Sequence, residues 1–335
     1  MNILSELKKR FSPHGRYKLS MNRLKQVRRN YPNDIFVQKA ISVIRKKMYC
    51  IPTPNTFHKL HRSMMNLYNI ELIKEGGGND HNLLNGVYFH SPEYNNYMWM
   101  FVYEYIDIVL SDSYLRKKLE QAGQQNSSCI ADVLSAMPIE GPYQYHKVFL
   151  NEGDVIIDAG ANVGMFSLFA AKYYNCQCHA FEPSRFVIPT LEKNIQTNML
   201  SNNITIYPLG LSDKNDEVTF TITHDNIGGS TFMCSLSTEN IETETIHCIS
   251  LDFWADENHI SKIDFIKADI EGAERLLLRG ATNVLKRMQP KLSICTYHLP
   301  DDKQVLEKII KDANPNYVVI HAYDKLYAYV PEKYR

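Results

Sequence analysis

The sequence predicts an α/β protein with a mostly parallel sheet covered by helices on both faces, preceded by a mainly helical N-terminal region. Apolar residues make up 44% of the 335 residues, which is enough to fill the core of a large domain. After the polar segment Gln121 to Ser128, short apolar runs alternate with amphipathic segments as far as the C-terminus. Strands that alternate with helices in this way are typical of parallel sheets.

The polar segment predicts a division into residues 1–125, an accessory region, and residues 126–335, the domain that carries the sheet. The second domain is expected to contain, in order, strand Val155 to Ala159, helix Met165 to Tyr174, strand Cys178 to Glu182, helix Arg185 to Met199, strand Thr205 to Leu209, a strand pair around "EVTFTIT" and "ETIHCISL", strand Ile263 to Ala268, helix Glu274 to Met288, strand Lys291 to Tyr297, helix Lys303 to Asp312, and a hairpin formed by "YVVIHAY" and "KLYAYV".

The first fifty residues are strongly basic. They hold thirteen Lys or Arg and two acids, Glu6 and Asp34, in a chain whose net charge is zero. Three roles suit helices with one cationic face: contact with an anionic acceptor, peripheral attachment to the inner face of a membrane, or a dimerisation arm. Residues 58 to 123 read as mainly helical and are interpreted as a region that caps the sheet or covers the substrate.

Composition also predicts where the protein works. No run reaches the roughly 18 apolar residues of a membrane span, because Glu104 and Asp107 interrupt "MWMFVYEYIDIVL". The seven cysteines lack the paired spacing of a zinc site, so they are expected to be free thiols in a reducing, cytoplasmic setting. Frequent Asn, Ile, Lys and Tyr, which have A/T-rich codons, indicate a low-GC bacterial source.

A glycine-containing turn follows the first strand of the predicted sheet. Ligands of open parallel sheets lie beyond the carboxyl ends of the strands. The stretch "VIIDAGANVG" places Gly160 and Gly164 where a Cβ atom would block a ligand lying on the backbone, with a helix N-terminus directly behind. The turn is therefore a candidate binding site, although turn geometry alone also favours glycine.

Two acids narrow the class of ligand. Glu182 in "CHAFEP" lies twenty-two residues after Gly160, at the position of the acid that accepts the two ribose hydroxyls in nucleoside-binding sheets. The turn lacks the G-x-G-x-x-G spacing of pyrophosphate sites, and Asp158 suits a ligand with an ammonium group. This pattern favours S-adenosylmethionine over a nicotinamide cofactor. The structural alternatives are a helix N-terminal acid for Glu182 and turn capping for Asp158.

At this point the residues resemble a known family. The stretches "VIIDAGANVGMFSLFAAKY", "AFEPSRFVIPTLEKNI", "LGLSD", "IDFIKADIEGAERLLLRGA" and "PKLSICTYH" occur in order. Together they resemble the FkbM family of S-adenosylmethionine-dependent methyltransferases, over about residues 145 to 330. The first 140 residues lie outside the resemblance.

The resemblance implies a class I methyltransferase sheet, a Rossmann-like arrangement of seven strands with an antiparallel C-terminal hairpin. It also implies that Glu182 binds the ribose of S-adenosylmethionine and that Asp213, in "GLSD", meets the adenine amino group. The methionine moiety is expected at four residues of the first turn: Asp158, Gly160, Asn162 and Gly164.

The segment "KADIEGAE" is expected to frame the reacting centre. Asp269 should leave the sheet beside the first strand, where the methyl group of the cofactor projects, and Glu271 follows in the loop. An alcohol acceptor needs a base to remove its proton, and His298 in "CTYHLPDD" is the best-placed imidazole, with Asp269 and Glu271 as rivals. Helix capping is the alternative explanation of the two acids.

The predicted activity is methylation of a hydroxyl group of a sugar or related small molecule, in surface-glycan or natural-product biosynthesis. A nitrogen or carboxylate acceptor and a non-catalytic scaffold remain as alternatives. A nucleic-acid substrate is not expected, since "ADIEGAE" replaces the Asn/Asp-Pro-Pro-aromatic motif of base-methylating enzymes. A metal ion is not expected either, because the Asp-Asn pair of catechol-type enzymes is absent from the sequence.

Overall fold

The structure, a computed structural model, describes residues 22, 25–30, 32, 81–84, 87–90, 142–223 and 241–334. The predictions for the basic segment and for nearly all of residues 58–123 lie outside these ranges. The chain divides into two compact units, of which one comprises Gly78–Pro92 and Gln144–Arg335 and contains the predicted sheet. The other unit falls almost wholly outside the described residues.

The elements of the sheet-bearing unit are, in chain order, β1 (His81–Leu84), β2 (Val87–His90), β3 (Val155–Ala159), α1 (Met165–Tyr174), β4 (Gln177–Phe181), α2 (Ile188–Thr197), β5 (Ile204–Tyr207), β6 (Gly210–Ser212), β7 (Asp216–Thr223), β8 (Ile241–Ser250), α3 (Leu251–Glu257), β9 (Phe265–Ala268), α4 (Glu274–Arg279), α5 (Thr282–Arg287), β10 (Lys291–Cys295), α6 (Asp302–Ala313), β11 (Val318–Ala322), β12 (Lys325–Tyr329) and the 3₁₀ helix Pro331–Tyr334.

Seven strands form the main sheet of the described residues, in the order β11-β12-β10-β9-β3-β4-β5. The five strands from β10 to β5 are parallel, and β12 runs antiparallel between β10 and β11. This arrangement confirms the predicted fold class. Because β3 and β9 are parallel neighbours, the residues that follow them meet at one edge of the sheet.

The central strands are buried because they carry apolar side chains on both faces, as strands of parallel sheets do. Every residue of β9 and β10 is buried. Fully burying one large aliphatic or aromatic side chain contributes roughly 1.5 to 3 kcal/mol. The buried core around the main sheet includes Ile157, Phe181, Ile266, Leu292 and Ile294.

A second sheet of three strands, in the order β6-β8-β7, follows the third strand of the main sheet. The predicted pairing of "EVTFTIT" with "ETIHCISL" is the antiparallel pair β7 and β8. The prediction that the third main-sheet strand runs to Leu209 is wrong, because β5 ends at Tyr207 and Gly210–Ser212 pairs with β8. The "GLSD" stretch therefore belongs to the second sheet.

The helix predicted from Glu274 to Met288 is broken into α4 and α5. Gly280 ends α4, and a Cβ atom at this position would lie 2.0 Å from the carbonyl oxygen of Ser212. The Gly280 carbonyl accepts the amide of Asp252, while the Asp252 carboxylate accepts the amides of Asn283 and Val284. Bonds from Asp252 thus replace the helical bonds that a continuous helix would make.

The hairpin β1–β2 belongs to the same compact unit as the main sheet, although it comes from the region expected to be accessory. The amide of His90 donates to Oδ1 of Asn194 at 2.6 Å, and Nδ2 of Asn194 donates to the carbonyl of Val163 at 2.8 Å. Asn194 therefore connects the hairpin to the turn that follows β3.

Two predictions on composition concern parts of the chain that the structure describes. Within those parts, no helix is both long enough and apolar enough to cross a membrane. The four cysteines that fall there are buried and form no disulfide: Cys176, Cys178, Cys248 and Cys295.

Candidate active site

The turn after β3 has a left-handed backbone at three positions. Gly160, Asn162 and Gly164 have φ angles of 74°, 50° and 90°. Glycine adopts this region without strain, and asparagine tolerates it better than most residues. The amides of Gly160 and Ala161 both donate to the carbonyl of Phe181 at 3.0 Å. The turn is thus held against the end of β4, where Glu182 follows.

The two glycines of this turn are required by the protein's own packing. A Cβ atom on Gly160 would lie 2.0 Å from the carbonyl oxygen of Asp269, and one on Gly164 would lie 2.5 Å from Cδ1 of Leu191. The sequence pattern predicted that the missing side chains make room for a ligand. In the structure they make room for the loop after β9 and for helix α2.

We expect Gly160→Ala to lower the free energy of unfolding by about 3 kcal/mol or more, because backbone atoms that cannot move independently would have to shift. Gly153→Ala is the matched control, since Gly153 has a φ of 75° and no atom within 4 Å of its would-be Cβ. The control should cost only the backbone strain, about 1 kcal/mol. Urea unfolding measures both, and equal losses would contradict the packing explanation.

Asp158 lies fully buried at the end of β3 and has two partners inside the protein. Its Oδ1 is 3.1 Å from Nζ of Lys267, and its Oδ2 accepts the hydroxyl of Ser167 at 2.6 Å. Lys267 itself is only 2% exposed and also donates to the carbonyl of Gly160 at 2.7 Å. The predicted contact of Asp158 with a ligand ammonium group therefore competes with an internal cation, and that contact stays a prediction.

The sequence reasoning missed Lys267, although a signal was present. The two neighbouring strands "VIIDA" and "FIKA" each contain one charged residue in an otherwise apolar run. Asp158 and Lys267 are register partners across the β3–β9 pair. A lone lysine in a buried strand needs a partner, and the only charge in the adjacent strand supplies it.

Glu182 is held in place by two backbone amides. Its Oε2 accepts from Asn162 and its Oε1 from Ser184, both at 2.9 Å. Burial raises the pKa of Glu182 to about 7, and the two amides offset only part of that effect. The carboxylate thus joins the end of β4 to the turn after β3 while each oxygen keeps a further lone pair for a hydroxyl donor.

The residues of this turn fit the S-adenosylmethionine that the sequence predicts. Oδ1 of Asn162 is buried and has no hydrogen-bond partner among the described residues. A buried acceptor without a partner is costly in a protein that binds nothing there. An ammonium group would satisfy Asn162, and a ribose diol would satisfy the spare lone pairs of Glu182.

Asp213 stands apart from these residues. It is exposed at the end of β6, and within the described chain its carboxylate accepts only a long bond of 3.4 Å from the neighbouring Ser212 hydroxyl. No bond links it to the turn or to Glu182 in the parts that the structure describes. Its predicted contact with the adenine amino group stays a prediction.

A cluster of three acids and one imidazole lies where β9 and β10 end. Nδ1 of His298 is 2.9 Å from Oε1 of Glu274, and Nε2 is 3.6 Å from Asp269 and 3.4 Å from Glu271. The hydroxyl of Tyr297 donates to Oδ1 of Asp269 at 3.0 Å. The structure thus brings together all three residues predicted for the reacting centre and adds Glu274 and Tyr297.

Glu274 shapes the loop that carries the other acids. It is fully buried, and its carboxylate accepts the amides of Ile270 and Gly272 at 2.9 Å and 3.0 Å. Glu271 has a φ of 53°, an unusual value for a side chain of this size, and Gly272 has a φ of 101°. Glu274 therefore fixes the loop before α4, whose N-terminus has no side-chain cap, and Oε2 of Glu271 lies 3.4 Å from Nε2 of His298.

The acids around His298 stabilise its charged form. Burial lowers the pKa of the imidazole, but Glu274, Glu271 and Asp269 together outweigh burial and raise the pKa of His298 to about 10. The three carboxylates therefore favour the charged form of His298 over the neutral form. His298 lies beside its two rivals for the role of general base, Asp269 and Glu271, and that role stays a prediction.

The Methyltransferase FkbM domain model matches residues 158–329, about half of the chain, from Asp158 in β3 to Tyr329, the last residue of β12. The chain belongs to the FkbM methyltransferase family. This membership confirms the resemblance seen in the sequence, and the methyl donor of the family is S-adenosylmethionine. The matched residues include the whole glycine turn, Glu182 and the cluster around His298.

Two curated methyltransferases are similar to parts of this chain. Methyltransferase 1 of Beauveria bassiana is 26% identical over 143 residues, which cover 37% of this chain and 57% of that protein. Hexuronic acid methyltransferase AglP of Haloferax volcanii is 26% identical over 165 residues, covering 48% of this chain and 63% of that protein. The chain thus matches somewhat less than two thirds of the length of these two relatives.

Among solved structures, methyltransferase FkbM of Methylobacillus flagellatus covers 70% of this chain and 61% of its own, with 19% sequence identity and a TM-score of 0.44. The family assignment of this chain therefore depends on the domain model and on the site residues that it includes.

Proposed function

We propose that this FkbM protein transfers the methyl group of S-adenosylmethionine to a hydroxyl group of a sugar or related small molecule. One observation carries the proposal: the amide of Asp269 donates to the carbonyl of Ala159 at 3.1 Å. This bond joins the first residue of the acid and imidazole cluster to the start of the glycine turn. A cofactor held on the turn would therefore lie next to the cluster.

The chain's residues divide into two groups in this proposal. Glu182 binds the ribose, and Asn162 with the glycine turn binds the methionine moiety. Asp269, Glu271 and His298 surround the oxygen of the acceptor. S-adenosylmethionine supplies a methyl group already activated by positive sulfur, so the protein mainly has to hold the acceptor oxygen in line with it and close to it.

The choice of a hydroxyl acceptor follows from the polarity of the cluster. Asp269 and Glu271 are 20% and 31% exposed at their side chains, so both reach the surface of the site. Carboxylates there accept hydrogen bonds from a polyol and orient it. The relative named as a hexuronic acid methyltransferase supports a carbohydrate acceptor.

The division at residue 125 and the use of the basic segment for membrane, acceptor or dimer contacts remain proposals. The cytoplasmic location and the bacterial source remain proposals as well. The hairpin β1–β2, which contacts α2 through Asn194, indicates that at least part of the first 125 residues supports the cofactor turn.

Labelled S-adenosylmethionine with three matched acceptor sets tests the proposed function: sugars and nucleotide sugars, their amino-sugar analogues with the hydroxyls protected, and their uronic acids with the hydroxyls protected. We expect label in the first set only. Transfer to amino sugars or to the carboxylate would replace the hydroxyl by another acceptor. If S-adenosylhomocysteine does not bind, the protein is a scaffold and the proposal fails.

A further inference from the structure

The cluster around His298 is compact enough to share one ion. Asp269, Glu274 and His298 each offer a ligand atom, and these atoms lie within 4.8 Å of one another. Imidazole and carboxylate are common ligands of divalent transition-metal ions. The sequence did not predict this group, because Glu274 follows Asp269 by five residues and His298 comes from a different strand.

The atom Nε2 of His298 is the second observation that points to an ion. The His298 side chain is only 7% exposed, and Nε2 has no hydrogen-bond partner among the described residues. It lies between Oδ1 of Asp269 at 3.6 Å and Oε2 of Glu271 at 3.4 Å. A charge-assisted N–H···O bond is shorter, about 2.7 to 2.9 Å.

These separations suit ligands of a common metal ion. Ligand atoms about 2.1 Å from one ion lie roughly 3.0 Å apart at octahedral angles and 3.4 Å apart at tetrahedral angles. The gap between Nε2 and the two carboxylates is thus close to the separation of ligands that share a cation.

Glu274 fixes the imidazole ring of His298. In many metal sites a carboxylate that does not touch the metal fixes a ligating histidine in the same way. Its Oε1 is 2.9 Å from Nδ1 of His298, and its two oxygens are fixed by the amides of Ile270 and Gly272. A carboxylate on Nδ1–H fixes the ring orientation, and a metal ion bound at Nε2 would displace the proton there to solvent. The carboxylates of Asp269 and Glu271 are the two that lie nearest to Nε2.

We propose that Asp269, Glu271 and Nε2 of His298 bind one divalent transition-metal ion, with Glu274 orienting the imidazole. This ligand set differs from the Asp-Asn pair whose absence from the sequence predicted a site without metal. The role of the ion in the reaction rests on the proposed function. The ion would bind the acceptor hydroxyl and lower the pKa of that hydroxyl. The hydroxyl proton would then pass to solvent water as the oxygen forms its bond to the methyl carbon and the bond from that carbon to sulfur breaks.

Manganese binding to the full-length chain tests the site without any methyl acceptor. The chain is treated with EDTA, freed of the chelator and titrated with Mn²⁺ alone, with free Mn²⁺ followed by electron paramagnetic resonance. We expect one Mn²⁺ per chain that Zn²⁺ displaces. Loss of an outer-shell partner alone costs about 10- to 100-fold in metal affinity, so Asp269→Asn and Glu271→Gln should each cost at least that much.

Glu307→Gln is the matched control, because Glu307 and His321 form an exposed acid and imidazole pair at 2.7 Å away from the cluster. It should bind Mn²⁺ as the parent chain does. Binding of S-adenosylhomocysteine and a thermal melt show which variants are folded. If Asp269→Asn does not fold, Glu271→Gln decides, because its side chain is partly exposed.

Two results would overturn the site: no Mn²⁺ bound by the parent chain at millimolar concentration, or equal binding by the parent and Glu271→Gln. Methyl transfer that continues undiminished in EDTA would refute the role of the ion while leaving the proposed function in place. Stoichiometric Mn²⁺ binding without transfer to any acceptor would refute the proposed function while leaving the metal site in place.

Discussion

Replacing Lys267 by methionine is expected to lower the free energy of unfolding by about 3 to 5 kcal/mol, because it leaves the fully buried carboxylate of Asp158 without its cation. The change also removes the bond from Lys267 to the carbonyl of Gly160. The glycine turn after β3 should therefore lose part of its support. Both the affinity for S-adenosylhomocysteine and the free energy of unfolding should fall. Urea unfolding and calorimetry measure the two effects.

Two further variants separate the buried pair from a general effect of losing a lysine. The double variant Lys267→Met with Asp158→Asn should be more stable than Lys267→Met alone, because no uncompensated charge stays buried. In Lys262→Met, a lysine that is 60% exposed and 2.9 Å from Asp264 is lost, at a cost of about 0 to 1 kcal/mol. Similar losses for Lys267→Met and Lys262→Met would show that the buried pair has no special role.

Replacing Glu182 by glutamine is expected to weaken S-adenosylhomocysteine binding by about 100-fold. Hydrogen bonds to a charged group contribute about 1.5 to 3 kcal/mol each, and a ribose diol would make two with the carboxylate. The amide keeps the size of the side chain but accepts at one atom only. Isothermal titration calorimetry measures the loss. Glu192→Gln, on the exposed side of α2, is the control and should bind as the parent chain does.

The ionisation of Glu182 should make the stability of the protein and its cofactor affinity depend on pH. The pKa of Glu182 is raised from 4.5 to about 7, mainly by burial. A raised pKa in the folded state gives stability that is fully present below pH 4.5 and is lost as the pH rises through 7. The loss amounts to about 3 kcal/mol.

Relative to Glu182→Gln, the free protein should therefore become less stable between pH 4.5 and pH 7. Affinity for S-adenosylhomocysteine should rise over the same range, because the ionised carboxylate is the better acceptor for the ribose hydroxyls. Chemical unfolding and calorimetry at half-unit pH steps measure the two trends. A difference between the two proteins that does not change with pH would contradict the assignment of the titration to Glu182.

The main sheet could be predicted from the sequence because its signals are local. Strand β3, the glycine turn and helix α1 appear in order within twenty residues, and their predicted bounds agree with the structure. The alternation of strands and helices then implies a parallel sheet. Helix bounds set by distant contacts could not be predicted in this way, since α4 ends where Gly280 meets Ser212 and Asp252.

In the candidate site, too, the sequence predicts the residues at strand ends but not the contacts between distant parts of the chain. Asp269, Glu271 and His298 follow strand ends, and the order of strands in the resembling family brings those ends together. The pairing of Asp158 with Lys267 depends on the register of two strands more than a hundred residues apart, and the orientation of His298 depends on Glu274. Neither the raised pKa of His298 nor the reason for Gly160 is visible without these contacts.

The chemical position of the transferred methyl group tests the proposed function most directly. The protein is incubated with S-adenosylmethionine labelled with ¹³C in the methyl group and with the best acceptor of the carbohydrate set, and the product is examined by mass spectrometry and nuclear magnetic resonance. We expect one ¹³C-methyl ether on a sugar hydroxyl, formed more slowly by Glu182→Gln at the same subsaturating cofactor concentration. A labelled N-methyl group, a methyl ester, or no labelled product would contradict the central claim.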